Sequence, residues 1–364
     1  MRKTSAWPLT LIYSGLIAYA SLYPFSDWRD QGISPWGFLG ASLPKYWTGF
    51  DLAVNVTGYM PLGFLLVLSA LRVGKNRFVV LLATLTAGFL SLTMESLQSY
   101  LPARVPSNVD LALNVSGAWL GAWLAWVLER LGVIARWSHL RARWFIADAR
   151  GALVLLALWP LALLFPAAVP FGLGQVQERL ETATANALQS TPFLNWLPVR
   201  DIELQPLLPG VELICVVLGL LIPCLLAFCV IHSVFRRAFF SLMLFALGVA
   251  TTALSAALSY GPEHAWAWLN LPVKVGIVSA VVLMTLLVWV PRRVSIALVL
   301  LTLGVYLGLL NQAPASPYFA QTLSTWEQGR FIRFHGLAQW LGWLWPYAVL
   351  AYGLIQVGAR ERKN

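Results

Sequence analysis

Charge is what this chain of 364 residues has least of. Asp, Glu, Lys and Arg make up 11% of it, against roughly 25% in soluble domains. Apolar residues make up 59%, and the mean hydropathy is +0.71. That deficit excludes an ordinary water-soluble globule. Cysteine is scarce as well: Cys215, Cys224 and Cys229 are the only three, and all fall in one apolar run. An odd, clustered set of this kind excludes a disulfide framework and matches no metal-ligand spacing. The three cysteines therefore read as small packing residues. GxSxG, HExxH and P-loop sequences are missing too, so nothing signals a serine nucleophile, a zinc site or a nucleotide phosphate site. The sequence calls for no metal and no cofactor.

What fills the chain instead is a series of apolar runs of about 20 residues, the length of a helix that crosses a bilayer. They lie at 8–24, 51–71, 78–100, 109–129, 151–171, 211–231, 238–259, 272–290, 294–311 and 337–357. Lys and Arg in the connections orient such runs. With both termini cytoplasmic, 17 of the 25 basic residues fall inside, in clusters such as Arg72–Lys75–Arg77, Arg236–Arg237 and Arg292–Arg293. The opposite orientation puts those same residues outside. The expectation is an all-α polytopic integral membrane protein with about ten transmembrane helices and cytoplasmic N and C termini. The net charge of +10 is accounted for by this topology, and no nucleic-acid partner is expected. Arg2 and Lys3, an apolar stretch and Ala18-Tyr19-Ala20 imitate a signal peptide. An uncleaved first helix is preferred, because its removal would leave an odd number of spans and invert the ends.

Three parts follow from this reading: a four-helix unit at 1–130, a basic cytoplasmic linker at 131–150, and a six-helix unit at 151–364. Within the last, 173–210 is too polar to span, and its early part reads as an amphipathic helix on the outer surface. The outer connections after the seventh and ninth runs are rich in Trp, Tyr and Phe, which suit the membrane interface.

Two segments are nearly identical: DLAVNVTG from Asp51 to Gly58 and DLALNVSG from Asp110 to Gly117. In the expected topology both open a helix at its outer end, which reads as a short parallel repeat in helices two and four. Each Asp can serve its helix N-terminus, and Asn55 and Asn114 follow one turn deeper. Such Asn residues also act as hydrogen-bonding glue between helices. Asp110, Asn114, Gly117 and Gly121 share one helix face, and Gly117–Gly121 has the GxxxG spacing of close packing. Pro61 in the second run withholds a donor and predicts a kink. In the third run, Ser91, Glu95 and Gln98 project from one face. A carboxylate inside a span is costly enough to count as a functional hypothesis, with Arg104 as its nearest candidate partner. The first hairpin has Ile17 and Ala20 at the equivalent places.

DLAVNVTGYMPLGFLL followed by ESLQSYLPARVPSNVDLALNVSGAWLGAWLA resembles the VanZ-like membrane family. That family runs from an Asp-Asn-Pro-Leu-Gly helix through Glu-Gln and Arg to a second Asp-Asn-Gly helix. The resemblance covers roughly residues 1–130. It carries over Asp51, Asn55, Pro61, Gly63, Glu95, Gln98, Arg104, Asp110, Asn114, Gly117 and Gly121. It implies a bacterial cell-envelope protein of the inner membrane, in a family associated with glycopeptide (teicoplanin) resistance and without an agreed reaction.

Beyond that domain, GRFIRFHG groups Arg330, Arg333 and His335 before the last helix, on the outer side. Arg suits phosphate or carboxylate; pairing with Glu327 or lipid headgroups is the plainer use. Glu263 and His264 lie in another outer loop. All the candidate polar residues thus fall on the extracytoplasmic half. Three readings stay open. The first is a protein that binds, and in one version modifies, an anionic lipid or lipid-linked envelope glycan. In it Arg104, Arg330, Arg333 and His335 join Gln98, Asp51, Asn55, Asp110 and Asn114 in binding, and Glu95 is the candidate acid or base. The second is a transporter or lipid flippase. The third is a structural partner of an envelope synthase.

Overall fold

The computed structural model describes residues 6–23, 25–43, 49–71, 78–165, 167–196, 204–314 and 332–361. The described residues form twelve α-helices. They divide into two compact units, Met1–Arg143 and Trp144–Asn364. Among the described residues there is no named strand, only an isolated antiparallel bridge between Phe145 and Ile231.

The first unit contains α1 (Ala6–Leu22), α2 (Gly49–Leu71), α3 (Val79–Gln98), α4 (Asn108–Arg130) and most of α5 (Val133–Trp144). Side-chain contacts fix the directions. The start of α1 meets the end of α2, where the Thr10 and Ser69 hydroxyls are 3.1 Å apart, so these two run antiparallel. Paired positions on α2 and α4 advance together, from Asn55–Asp110 to Met60–Gly121, so those two run parallel. The α2–α4 seam is the closest in the unit because it is lined by glycine. A Cβ on Gly117, Gly121 or Gly63 would collide with the backbone of Val56, Met60 or Ala118 respectively. Helix α2 continues through Pro61 without interruption of its assignment. The repeated motif is not packed alike in its two copies: Gly117 is pressed against α2, whereas Gly58, its counterpart, has open space where a side chain would stand.

The second unit contains α6 (Arg150–Ala162), α7 (Gln177–Leu188), α8 (Pro209–Phe228), α9 (Val234–Tyr260), α10 (Leu271–Leu287), α11 (Arg292–Leu310) and α12 (Ile332–Glu361). Helix α8 is apolar on all sides, the pattern of a helix surrounded by others. Every residue from Cys215 to Ile231 except Leu218 is buried, Cys215, Cys224 and Cys229 among them, none of the three in a disulfide. Arg237, at the start of α9, is buried and spends its guanidinium on helix ends. It donates to the carbonyls of Ile231, Val288 and Val290, which close α8 and α10. Val288 is the C-cap of α10, whose carbonyl a helix C-terminus leaves unpaired, and Ile231 and Val290 lie three residues beyond the last residues of α8 and α10.

Each of the ten apolar runs overlaps a helix. Six helices are long and apolar enough to cross a membrane (Leu52–Leu71, Val79–Gln98, Asn108–Arg130, Pro209–Phe228, Val234–Tyr260 and Arg292–Leu310), and α1, α6 and α10 are shorter apolar helices. The run at 151–171 departs from expectation: its helix stops at Ala162. Pro160 is carried inside the helix, but Pro166 and Pro170 just beyond its end also lack an N–H, so the ladder of i to i−4 bonds cannot resume there. The chain goes on as buried irregular backbone, with Val169, Phe171 and Leu173 in the core. Irregular backbone surrounded by apolar material needs protein partners for its polar groups. Tyr306 supplies two, donating to the Phe171 carbonyl at 2.7 Å and accepting from the Leu173 N–H. Asn311 supplies three, accepting from the N–H groups of Val176 and Gln177 and donating to the Gly174 carbonyl. The amphipathic segment anticipated within 173–210 contains α7, an exposed helix with no buried residue.

Candidate functional site

One end of the first unit gathers the ends of four helices: α1 and α3 finish there, α2 and α4 begin. Four unsatisfied carbonyls or N–H groups per helix end make such a place demanding, and its polar side chains divide that work. Ser107 is the N-cap of α4, its hydroxyl accepting from the Asp110 N–H at 3.3 Å. In a capping box the acid three residues on reaches back to the cap N–H. Here Glu95 of α3 takes that place, its Oε2 accepting from Ser107 N–H at 2.8 Å. The Glu95 carboxylate, only 4% exposed, therefore sits at the positive end of the α4 dipole. Asp110 points elsewhere: its Oδ1 accepts from the Asn55 side-chain amide across the helix seam at 2.8 Å. Ser107 thus does the capping that the sequence offered to Asp110.

Gln98 and Arg104 serve the end of α1. The Gln98 amide donates to the Ser21 carbonyl at 2.9 Å. Arg104 donates through Nε to Tyr23 at 2.9 Å and through Nη2 to Ala20 and Tyr23. The α1–α2 connection lies over the same end: Gln31 donates to the Ser99 carbonyl, Arg29 N–H to Tyr100, and Asn108 to Ala41.

Below this capping layer lies a second polar layer whose bonding is incomplete. Asn114 donates through Nδ2 to the Ser91 hydroxyl at 3.0 Å, and both residues are buried. Its Oδ1 is buried without a hydrogen-bond partner. The Tyr59 hydroxyl is likewise buried, with Ser91 beside it at the margin of hydrogen-bonding geometry and Glu95 and Tyr13 within electrostatic reach. Tyr13 itself donates to the Gly58 carbonyl at 2.8 Å. Counting the rise of about 1.5 Å per residue, Ser91 and Asn114 lie roughly 10 Å inside their helix ends and Tyr59 about 15 Å. Beneath them Ile17, Leu62, Ala87 and Ala118 close the layer with apolar packing around Tyr59. Buried polar groups are nearly always satisfied, and an unsatisfied one costs about 1–3 kcal/mol. An unsatisfied Asn114 Oδ1 and a weakly held Tyr59 hydroxyl around one serine are suited to a guest group that donates to Asn114 Oδ1 and exchanges a hydrogen bond with Tyr59.

The sequence-derived candidates thus fall into separate places. Glu95, Gln98, Arg104, Asn55, Asp110 and Asn114 all belong to this end of the first unit. Asp51 lies in the first turn of α2, its side chain outside the described residues. Arg330 lies outside them altogether. Arg333 and His335 are at the start of α12, with side chains that are not described. His264 and Glu263 form an exposed adjacent pair at 3.5 Å in the second unit. Tyr59 and Ser107 were missed. The signal for Tyr59 was available, since Asp51, Asn55 and Tyr59 follow at i, i+4 and i+8 on one helix face.

Residues 5–129 match the VanZ/LLP1 family model, which spans the helices that build this cluster. No curated protein matches the chain, and no solved structure does either.

Proposed function

We propose that this membrane protein of the VanZ type, whose family match ends at residue 129, is a headgroup-binding protein of the bacterial cell envelope. In this reading it crosses the inner membrane about ten times with both termini in the cytoplasm. The α1–α3 ends then face the extracytoplasmic leaflet, by the distribution of Lys and Arg. The ligand is an anionic lipid or a lipid-linked envelope glycan. The observation that carries the reading is the buried Asn114 Oδ1, without a hydrogen-bond partner, next to a buried Tyr59 hydroxyl that only Ser91 holds, and weakly. A bundle that needed these residues only for packing gains nothing from leaving that oxygen unsatisfied.

The buried layer is rich in acceptors: Asn114 Oδ1 and the Glu95 carboxylate, with Asp110 nearer the helix start. It therefore suits the hydroxyls of a glycerol or sugar better than the phosphate. The phosphate belongs nearer the surface, with the partly exposed Arg104 as the local positive charge. If the bound group is also modified, Glu95 is the residue with the chemistry of a general acid or base.

Native mass spectrometry of the protein extracted with its own lipids tests the proposal. Wild type should retain a hydroxyl-rich envelope lipid, and Tyr59→Phe and Glu95→Gln should lose it at least tenfold. Removing a hydroxyl held only weakly by Ser91 should leave the Tyr59→Phe protein about as stable as wild type. Equal retention in all three would defeat the reading in favour of a packing role.

A further inference from the structure

Helix α5 (Val133–Trp144) takes no part in the cluster above. Its sequence, VIARWSHLRARW, holds three arginines and a histidine and no acid. At about 100° per residue, Val133, Trp137 and Leu140 fall within about 60° of arc. Arg136 stands at one edge of that stripe with Arg143 beside it, and Arg141 stands at the other. Ala135, Ser138 and Ala142 occupy the back. Along Val133, Trp137 and Leu140 the stripe is uncovered, at 38%, 60% and 44% exposure, whereas Trp144, which ends the helix on the same arc, is half-buried against Phe145 and Phe239.

The chain leading into α5 places it. Helix α4 is long and apolar enough to span, and at its end the Arg130 guanidinium lies over the Trp126 ring, 4.1 Å from its centre. Gly132 then takes a left-handed conformation, φ +71°, which turns the chain at a helix C-terminus. The Gly132 carbonyl accepts the Arg136 N–H, so α5 begins within one turn of the place where α4 ends. Six residues after its last residue, α6 starts. A helix tied this closely to the end of a span stays at the bilayer surface. An apolar stripe with arginines along its edges matches that boundary, rings and aliphatics toward the acyl chains and guanidinium groups toward the headgroups.

We propose that α5 lies in the membrane interface on the leaflet where α4 ends, with Val133, Trp137 and Leu140 inserted and Arg136, Arg141 and Arg143 on anionic phospholipid headgroups. Anionic headgroups are the occupant because Val133–Trp144 carries three arginines and no acid, the nearest acids in sequence being Glu129 and Asp148 beyond its ends, and the arginines flank the stripe on both sides. By the positive-inside distribution this is the cytoplasmic leaflet, where anionic lipids attract such segments. The proposal is independent of the ligand site in the first unit.

Full-length protein in nanodiscs tests it. The native cysteines are buried, so a nitroxide on Leu140→Cys or Ala135→Cys reports one face each, with the unsubstituted chain as blank. In phosphatidylcholine discs containing phosphatidylglycerol, position 140 should be shielded from an aqueous nickel chelate and position 135 open to it. Replacing Arg136, Arg141 and Arg143 by Gln should lower the inserted-to-free ratio by roughly a hundredfold, while replacing all three by Lys should preserve it. Equal nickel access at the two positions overturns the proposal. So does shielding that is the same without phosphatidylglycerol, or that arises only when an acidic protein or nucleic acid is added.

Discussion

Gly121→Ala is the smallest perturbation that strikes the seam on which the first unit depends. A Cβ on Gly121 would sit 2.7 Å from the carbonyl carbon of Met60 and closer still to its oxygen. The oxygen sets the requirement: it lies 1.8 Å from that Cβ against about 3.3 Å for an ordinary C···O contact, so α2 and α4 must part by roughly 1.5 Å. The obstacle is backbone, and no rotamer change relieves it. Overpacking of this kind costs about 1–3 kcal/mol. Carried about one and a half turns along α2 to Asn55, a separation of that size takes the Asn55–Asp110 hydrogen bond from 2.8 Å to about 4 Å, outside hydrogen-bonding range. An interhelical bond in a membrane contributes about 1 kcal/mol. Together these give a loss of about 2–4 kcal/mol, a fall in apparent Tm on the order of 5–15 °C for a unit of this size. Gly58→Ala supplies the control within the duplicated motif. Nothing lies within 4 Å of its added Cβ, and replacing a helical glycine should stabilise by about 0.5–1 kcal/mol. Thermal unfolding of both variants in one mild detergent measures the difference. Equal Tm values for Gly121→Ala and Gly58→Ala would refute the close-packed seam.

Two further outcomes follow from the hydrogen bonds. A double-mutant cycle of Asn55→Leu and Asp110→Asn should yield a coupling energy of about 0.6–2 kcal/mol, measured by unfolding in detergent; additivity would mean that the cross-seam bond does not form. Tyr306→Phe strands the Leu173 N–H and the Phe171 carbonyl in the core, at about 1–3 kcal/mol for each group. It should speed hydrogen exchange in 167–176 far more than in α8, and unchanged exchange there would argue against Tyr306 as the support of the broken segment.

The sequence is most informative where burial in lipid simplifies the rules. A run of some 20 apolar residues leaves the backbone little choice but helix, so all ten runs overlap helices and the membrane class was legible. The VanZ-like resemblance of the first 130 residues was legible too, because its motif residues stand at fixed local spacings. The end of α6 was not read from hydropathy, which does not register the missing donors of Pro166 and Pro170. The partners of Gln98 and Arg104 were beyond local reading as well. Their acceptors at Ala20, Ser21 and Tyr23 lie about 80 residues away, and the bond depends on α1 and α3 finishing side by side. Glu95 was found because a buried carboxylate is conspicuous in apolar sequence. Tyr59 was passed over because a tyrosine is not.

The central claim is that the layer formed by Tyr59, Ser91 and Asn114 receives a ligand group. A density map of the full-length protein in nanodiscs made from its native envelope lipids tests that claim most directly. The account predicts density from a hydroxyl-bearing headgroup reaching Asn114 Oδ1 and Tyr59 Oη. Side chains closed on one another, with no density other than an ordered water, would contradict it.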